Sequence, residues 1–233
     1  MTVIARQAVA ELLGSAGLVA AVIGSGIAAQ RLSTDPGLQL LENALATGGA
    51  LAVLILVFGP VSGAHLNPAV TVADWWSGGL PARSVPAYVV AQLAGGALGA
   101  VAANLMFGLD AVTISGRERS GTGLWLAEVL ATFGLVLLVL ALSRTGRTAL
   151  APAAVGAYIA AAYWWSSSTS FANPMIDVAR TLSDTFAGIA PASVPMFVLM
   201  QFIGGAISLV VVKLLYPDVA RTADDVVVPK EYA

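Results

Sequence analysis

Two short stretches decide the fold: SGAHLNPAVTVAD at residues 62–74 and TSFANPMIDVAR at residues 169–180. Each contains an Asn-Pro pair, at Asn67 and at Asn173, followed by a run of helical character. Asparagine is a strong helix N-cap, and proline at the first helical position loses no hydrogen bond. Both stretches therefore predict a short helix that begins directly after the asparagine.

The sequence around these stretches is strongly apolar. Of the 233 residues, 58% are hydrophobic and 10% are charged, and the mean hydropathy is +0.86, whereas soluble domains carry about 25% charged residues. A transmembrane helix needs about 20 mostly apolar residues. The stretches that qualify are 7–29, 40–59, 85–107, 123–143, 148–166 and 193–215. The sequence therefore predicts an all-α integral membrane protein with six transmembrane helices.

The composition argues against several classes of function. The net charge is −2 and no basic patch is present, which disfavours nucleic acid as a partner. The chain has no cysteine, and a single histidine, His65, cannot form an imidazole metal cluster. We also find no catalytic constellation. We therefore expect no enzyme, no cofactor and no metal.

The Asn-Pro stretches lie in two segments, 62–76 and 168–186, that are too short and too polar to cross a bilayer. They fall between the second and third spans and between the fifth and sixth. Irregular backbone at membrane depth is tolerated only where protein or a water-filled cavity surrounds it. Each segment is therefore predicted to enter the membrane as a loop and to begin a half-helix there.

The chain also contains an internal repeat. Asn67 aligns with Asn173, SVPAYVVAQLAGGALG with SVPMFVLMQFIGGAIS, and AELLGSAGLVAAV with AEVLATFGLVLLV. Because each copy holds three spans, the second copy must be inverted in the bilayer, and inverted repeats place the functional site near the midplane. The two half-helix N-termini then face each other, each with about +0.5 charge. This arrangement predicts a pore that repels cations and breaks a proton wire.

The distribution of Lys and Arg predicts the orientation. With both termini in the cytoplasm, most of these residues face the cytoplasm, and Arg31, Arg117 and Arg119 face outward. We therefore predict a multi-pass protein of the plasma membrane with cytoplasmic termini. Its single channel domain covers residues 1–216, with repeats over about 5–107 and 123–216, and a polar cytoplasmic tail follows at 217–233.

This arrangement resembles the aquaporin, or major intrinsic protein, family. The resemblance rests on SGAHLNPAV at 62–70, on FANPM at 171–175, and on the pairs Glu11/Glu128 and Gln92/Gln201, and it covers about residues 5–216. It implies an aquaporin-like fold and a homotetramer in the lipid bilayer with one pore in each subunit. It also implies an aquaglyceroporin-like channel for small neutral solutes. The midplane residues implied by the motifs are Asn67, Pro68, Ala69, Asn173, Pro174 and Met175.

The second motif departs from the family pattern, which usually reads Asn-Pro-Ala-Arg. Here Met175 replaces the alanine, and Ile176 replaces the arginine that narrows the outer filter. Met175 either repacks the midplane or narrows it. Arg180 follows on the same helix face, about 6 Å further along the axis. We expect Arg180 in the outer vestibule or, alternatively, in a salt bridge to Asp177 or Asp184.

The resemblance implies a selectivity filter formed by Thr47, Tyr163, Ser170 and Ile176. Counting back from the second asparagine gives Ala161 as the alternative to Tyr163, and Phe171 is the alternative to Ser170. This filter lacks charge and has no bulky aromatic at position 47. It therefore favours water, glycerol-like polyols and trihydroxy metalloids such as arsenous acid, although Tyr163 turned into the pore would narrow it.

Three polar residues have competing interpretations. Glu11 and Glu128 are expected to hold the loop backbones, as their equivalents do in the family, rather than to relay protons. His65 is expected to line the inner vestibule, with a pH gate as the alternative. The run GRERSG at 116–121 is interpreted as a solvated loop. A coupled transporter and a closed-pore junction protein remain alternatives to the channel.

Overall fold

The computed structural model describes residues 1–216, in which all regular elements are helices and none is a strand. The predicted tail, 217–233, lies outside the described residues. Three single 3-10 turns, Ala82–Ser84, Thr148–Leu150 and Pro191–Ser193, lead into α4, α6 and α8. The α-helices are α1 (Val3–Leu32), α2 (Pro36–Ser62), α3 (Pro68–Ser77), α4 (Val85–Met106), α5 (Thr122–Arg144), α6 (Ala151–Trp165), α7 (Pro174–Arg180) and α8 (Val194–Leu215).

Five of the six predicted spans are helices that are long and apolar enough to cross a membrane, namely α1, α2, α4, α5 and α8. The predicted fifth span, 148–166, is shorter than expected, because its α-helical part, α6, has 15 residues. The 3-10 turn Thr148–Leu150 precedes it directly and rises further per residue than an α-helix does. Turn and helix together extend about 28 Å, close to the thickness of the bilayer core.

The two short helices begin where the Asn-Pro pairs predict them. The Asn67 side-chain oxygen accepts a hydrogen bond from the Ala69 N–H at 2.8 Å, and Pro68 is the first residue of α3. The Asn173 side-chain oxygen accepts from the Met175 N–H at 3.0 Å at the start of α7. Both predicted starts are confirmed. α7 ends after 7 residues, so most of the segment 168–186 is loop.

Equivalent helices of the two repeats pack in equivalent ways. α1 packs against α4, α5 packs against α8, and α2 packs against α6 between the two halves. A Cβ atom at Gly95 of α4 would overlap the carbonyl oxygen of Leu12, and one at Gly204 of α8 would overlap that of Val129. Glycine therefore permits close helix approach at matching positions of both halves, as small residues do in membrane bundles.

Candidate pore and selectivity filter

A narrow cavity of about 60 Å³ lies between the two halves, which is room for about four water molecules. Most of its wall is apolar and comes from α1, α2, α5 and α6. Both Asn-Pro loops complete the wall. The polar side chains on it belong to Thr47, His65, Asn67, Tyr163, Ser170, Asn173 and Arg180.

The two motif asparagines tie the loops to each other across the cavity. The Asn67 side-chain amide donates to the Ala172 carbonyl at 2.8 Å, and the Asn173 amide donates to the Leu66 carbonyl at 2.8 Å. Each side chain therefore caps its own helix with its oxygen and binds the opposite loop with one N–H. An amide carries two N–H donors, so one on each asparagine remains available at the cavity wall.

Glu11 holds the first loop from α1. Its fully buried carboxylate accepts hydrogen bonds from the backbone N–H groups of His65 at 3.0 Å and Leu66 at 2.7 Å. It also accepts from the Ser62 hydroxyl at 2.6 Å and from the Gln92 amide at 2.7 Å. The carboxylate is therefore surrounded by donors that belong to the end of α2, to the loop and to α4.

Glu128 does the same for the second loop from α5. Its buried carboxylate accepts from the N–H groups of Phe171 at 3.0 Å and Ala172 at 2.8 Å, and from the Gln201 amide at 2.6 Å. These donors are the repeat equivalents of those around Glu11. This geometry suits the loop-supporting role that was expected for both glutamates.

The loops held by these carboxylates contain left-handed backbone at matching positions. Ala64 and Leu66 have φ of 47° and 49°, and Ser170 and Ala172 have φ of 51° and 47°. This conformation costs roughly 1–2 kcal/mol in a residue with a Cβ. Hydrogen bonds from the Leu66 and Ala172 N–H groups to the buried carboxylates offset that cost and fix the direction of the backbone beside the cavity.

The expected filter residues Thr47, Tyr163, Ser170 and Ile176 all line the same cavity. The Tyr163 hydroxyl donates to the Thr47 hydroxyl at 3.2 Å. Phe171, the alternative to Ser170, also lines the cavity, so both loop residues contribute. Ala161, the alternative to Tyr163, is wrong, because it is exposed on the outer side of α6.

Met175 is fully buried but does not line the cavity. Its side chain lies against Gly96 of α4, where a Cβ atom would come within 2.6 Å of the Met175 sulfur. The other expected midplane residues, Pro68, Ala69 and Pro174, are buried behind the cavity wall. The Met175 side chain therefore fills the space beside Gly96, and it does not project into the cavity.

Arg180 is 2% exposed and lines the cavity beside Ile176. Its guanidinium carbon lies 3.6 Å from the centroid of the Phe171 ring, and its Nε donates to the Ala187 carbonyl. The alternative of a salt bridge to Asp177 or Asp184 is wrong within residues 1–216. The side chain turns toward the ring instead, because Asp177 accepts from Gln201 and Asp184 binds another loop.

Arg119 is the residue that sequence reasoning missed. The run 116–121, which contains Arg119, is not simply a solvated loop. The Arg119 guanidinium carbon lies 5.0 Å from the Phe171 centroid, and the Arg119 Nε donates to the Gly188 carbonyl at 2.9 Å. Backbone bonds join this loop to the segment after α7, including one from Ala190 N–H to the Arg117 carbonyl at 2.8 Å. No local signal reveals this pairing, because Arg119 and Gly188 belong to two loops and are 69 residues apart in sequence.

The first repeat carries the opposite charge at the matching place. His65 and Asp74 are the repeat equivalents of Phe171 and Arg180. The His65 Nε2 lies 3.1 Å from an Asp74 carboxylate oxygen, and both side chains are buried. His65 lines the cavity as Phe171 does. An aromatic ring and a charged side chain thus stand together in each half, with the sign of the charge reversed.

Comparison with known proteins agrees with this architecture. The family model for Major intrinsic protein matches residues 2–183. The chain is 47% identical to aquaglyceroporin AqpS of Rhizobium meliloti (strain 1021) over 210 residues, which cover 90% of each chain. It is 34% identical to aquaporin NIP1-2 of Arabidopsis thaliana over 165 residues, which cover 66% of this chain and 55% of that one.

A solved structure has the same fold. The X-ray structure of the aquaglyceroporin from Plasmodium falciparum superposes with a TM-score of 0.73 over 93% of this chain and 98% of that chain, at 19% identity. Fold and relatives together define a membrane channel rather than an enzyme. The chain belongs to the major intrinsic protein family, the family of the aquaporins and aquaglyceroporins. The predicted family and the all-α aquaporin-like fold are confirmed.

Proposed function

We propose that this chain is a passive channel for small uncharged solutes: water, glycerol-like polyols and, in the same size class, metalloid hydroxides such as arsenous acid. The observation that carries the proposal is the cavity between two asparagine-capped half-helices, apolar along most of its wall and polar at a few fixed points. A polyol presents carbon-bound hydrogens on one side and hydroxyls on the other. Such a solute matches a wall of this composition.

The filter residues Thr47, Tyr163, Ser170 and Ile176 support a neutral solute. Three of them offer hydroxyl groups, and Ile176 offers an apolar surface where the family usually has a charge. The Met175 sulfur packs against Gly96 and the side chain does not line the cavity, which supports a midplane that the methionine does not narrow. The relative AqpS is named an aquaglyceroporin, which agrees with a pore that accepts more than water.

Exclusion of ions follows from the wall and from the asparagines. A cation that enters an apolar cavity loses its hydration and finds few acceptors there, which is costly. The free N–H groups of Asn67 and Asn173 and the N-termini of α3 and α7 favour oxygen atoms of neutral solutes over cations. A water held by such donors is oriented, so that a proton cannot pass along the file.

Glu11 and Glu128 act as supports for the loops in this proposal. Their carboxylates are fully occupied by donors of the loops and of α4 and α8. His65 and Arg180 mark the two vestibules, at equivalent places of the repeat. We assign the His65 side to the cytoplasm and the Arg180 side to the exterior, in accord with cytoplasmic termini and a plasma-membrane location.

A homotetramer is the proposed assembly, with a channel domain over residues 1–216. Large apolar side chains stand exposed on the long helices, including Leu56 at 62% and Val90 at 67%. Exposed apolar surface of this extent is covered either by lipid or by neighbouring subunits. Cross-linking of the protein in native membranes, followed by gel electrophoresis, tests for four subunits.

The function itself is tested by stopped-flow light scattering on proteoliposomes, first under an osmotic shock with sucrose and then with glycerol. We expect both water and glycerol to cross faster than in empty liposomes, and arsenous acid should be tested next. Flux no faster than in empty liposomes would refute the open channel and favour a closed junction protein. Saturating flux that requires sodium or a pH gradient would indicate a coupled transporter.

A further inference from the structure

We propose that Arg119 and Arg180 form a binding site for a small planar oxyanion of the carboxylate class, beside Phe171 at one end of the cavity. The two arginines come from different parts of the chain, the loop before α5 and the last residue of α7. The binding is independent of transport, whereas its effect on solute flux rests on the proposed function.

The first observation is convergence. The guanidinium carbons of Arg180 and Arg119 lie 3.6 Å and 5.0 Å from the centroid of the same ring, that of Phe171. The two carbons are therefore within about 9 Å of each other, a distance at which salt screens their repulsion only in part. Two cations within such a distance both attract an anion that lies near the ring.

The second observation is that, among residues 1–216, no carboxylate forms an ion pair with either arginine. Over residues 1–216, neither arginine lies within ion-pair distance of an acidic group. Asp177 accepts from Gln201 at 3.2 Å, and Asp184 accepts from the Gly116 N–H at 3.1 Å. Glu118, next to Arg119 in sequence, is exposed. The charge of the pair is therefore left for a ligand to balance.

The third observation is the number of donors that remain. Arg180 has one side-chain hydrogen bond in the described part of the chain, from Nε to the Ala187 carbonyl. Arg119 uses its Nε and one terminal nitrogen, the latter on the Phe186 carbonyl at 3.4 Å. Both terminal nitrogens of Arg180 therefore have no hydrogen-bond partner among the described residues, and the side chain lines the cavity. A planar carboxylate accepts two parallel N–H bonds from one guanidinium, which fits this set of donors.

Both arginines remain charged at neutral pH. Burial, together with the positive charges of Arg180 and Arg117, lowers the pKa of Arg119 to about 9. The carbonyls of Phe186, Ala187 and Gly188 hold the two side chains in place from behind. The site is therefore formed before the anion arrives and does not require a rearrangement of the loop.

The rest of the cavity determines whether a bound anion can pass through it. The repeat equivalent of Arg180 is Asp74, whose carboxylate oxygen lies 3.1 Å from the His65 Nε2, and no arginine stands at the matching place of the first repeat. Between the two ends the wall is mostly apolar, where an unpaired charge is costly. An anion is thus held at the arginine end and does not pass. We expect it to obstruct the route of neutral solutes.

Binding is tested by isothermal titration calorimetry of the purified full-length protein with sodium acetate, with sodium chloride at the same ionic strength as the reference. Acetate is expected to bind more tightly than chloride. Arg119→Gln and Arg180→Gln are each expected to weaken binding about tenfold, because each removes charge-assisted bonds, and the double variant should not bind. Arg117→Gln, a change of the exposed neighbour in the same loop, is the matched control and should bind within about twofold of the original protein.

Circular dichroism and size-exclusion chromatography establish that each variant is folded. Arg119 is only half-buried, so we expect Arg119→Gln to fold. This variant therefore tests the proposal even if Arg180→Gln, a change at a buried position, does not fold. Equal acetate affinity in the original protein and in Arg119→Gln, or no preference for acetate over chloride, would overturn the proposal.

A flux measurement separates this proposal from the proposed function. With acetate at equal concentration on both sides of proteoliposomes, glycerol flux through the original protein should fall, and flux through Arg119→Gln should fall less. Acetate binding without any glycerol flux would leave the anion site standing and refute the channel for polyols. Glycerol flux without acetate binding would refute the anion site alone.

Discussion

The hydroxyl of Tyr163 donates a hydrogen bond to the hydroxyl of Thr47 at 3.2 Å, and this bond joins α6 to α2 at the wall of the cavity. The two side chains are 4% and 3% exposed, so their orientation is fixed by packing. A passing hydroxyl group meets a donor and an acceptor whose positions do not change. This pair is one of several polar points on a wall that is otherwise mostly apolar.

Replacing Tyr163 by Phe tests this pair directly. We expect glycerol permeability to fall severalfold with little change for water, because a polyol loses a fixed partner while water is small enough to find others. The measurement is stopped-flow light scattering with each solute. Tyr158→Phe is the control, since Tyr158 lies on the same helix but bonds to the Ala131 carbonyl at 2.9 Å, away from the cavity. An equal loss for both solutes would contradict the prediction.

Ile176→Arg tests whether the absent charge keeps the filter wide. We expect glycerol flux to fall by at least about tenfold, since an arginine at this buried position fills space and adds a cation near Arg180, and each factor of ten equals about 1.4 kcal/mol in barrier height. Water flux should fall much less. Ile176→Leu keeps volume and polarity, and it should leave both fluxes close to those of the original chain. Unchanged glycerol flux in Ile176→Arg would remove Ile176 from the filter.

The hydrogen bonds that Glu11 and Glu128 accept predict that both residues contribute to the stability of the protein by similar amounts. Glu11→Gln and Glu128→Gln should each lower the free energy of unfolding by about 1–3 kcal/mol, because an amide cannot accept from all the donors and leaves buried N–H groups unpaired. Thermal unfolding in detergent measures the change. Asp110→Asn, an acidic-to-amide change at an exposed position, should have no comparable effect. A proton relay would instead show as lost transport in a chain of unchanged stability.

The contact between Met175 and Gly96 predicts that substitutions at the two positions partly compensate each other in stability. Gly96→Ala should destabilise the protein, since its Cβ would lie 2.6 Å from the Met175 sulfur. Met175→Ala should also destabilise it, by about 2–5 kcal/mol, because it leaves a cavity. The double variant should be more stable than additivity predicts, as expected for residues in contact.

Gly205→Ala provides the control for this pair at the equivalent position of the second repeat. The nearest atom to its Cβ would be 4.0 Å away, on Val136, so the substitution should be tolerated. Glycerol-to-water selectivity should not change in any of these variants, because neither Met175 nor Gly96 lines the cavity. A change in selectivity on Met175→Ala would show that the methionine does narrow the pore.

The parts of the fold that follow from local chemistry could be predicted from sequence. The starts of α3 and α7 follow from an asparagine cap before a proline, and the repeat follows from matched sequence in the two halves. The length of α6 could not be predicted, because its apolar pattern continues through a 3-10 turn that leaves no mark in composition.

Side-chain direction and loop pairing account for what sequence reasoning missed. Asp177 and Asp184 stand at helical spacing from Arg180. Asp177 nevertheless accepts a hydrogen bond from Gln201, and Asp184 accepts one from a distant loop. Arg119 lies in a polar run typical of solvated loops, and only its tertiary pairing brings it to Phe171. The accommodation of Met175 by Gly96 depends in the same way on a contact between helices 79 residues apart in sequence.

The reciprocal bonds from Asn67 to the Ala172 carbonyl and from Asn173 to the Leu66 carbonyl have a mechanical consequence. Transporters built from inverted repeats work by rocking one half against the other around a central site. In this chain, rocking would break both bonds at once and strip the left-handed loop backbone of its partners. These hydrogen bonds join the two halves at the point where a transporter would need to open. The same duplicated plan therefore yields a fixed sieve, whose choice of solute is made by its shape and not by its movement.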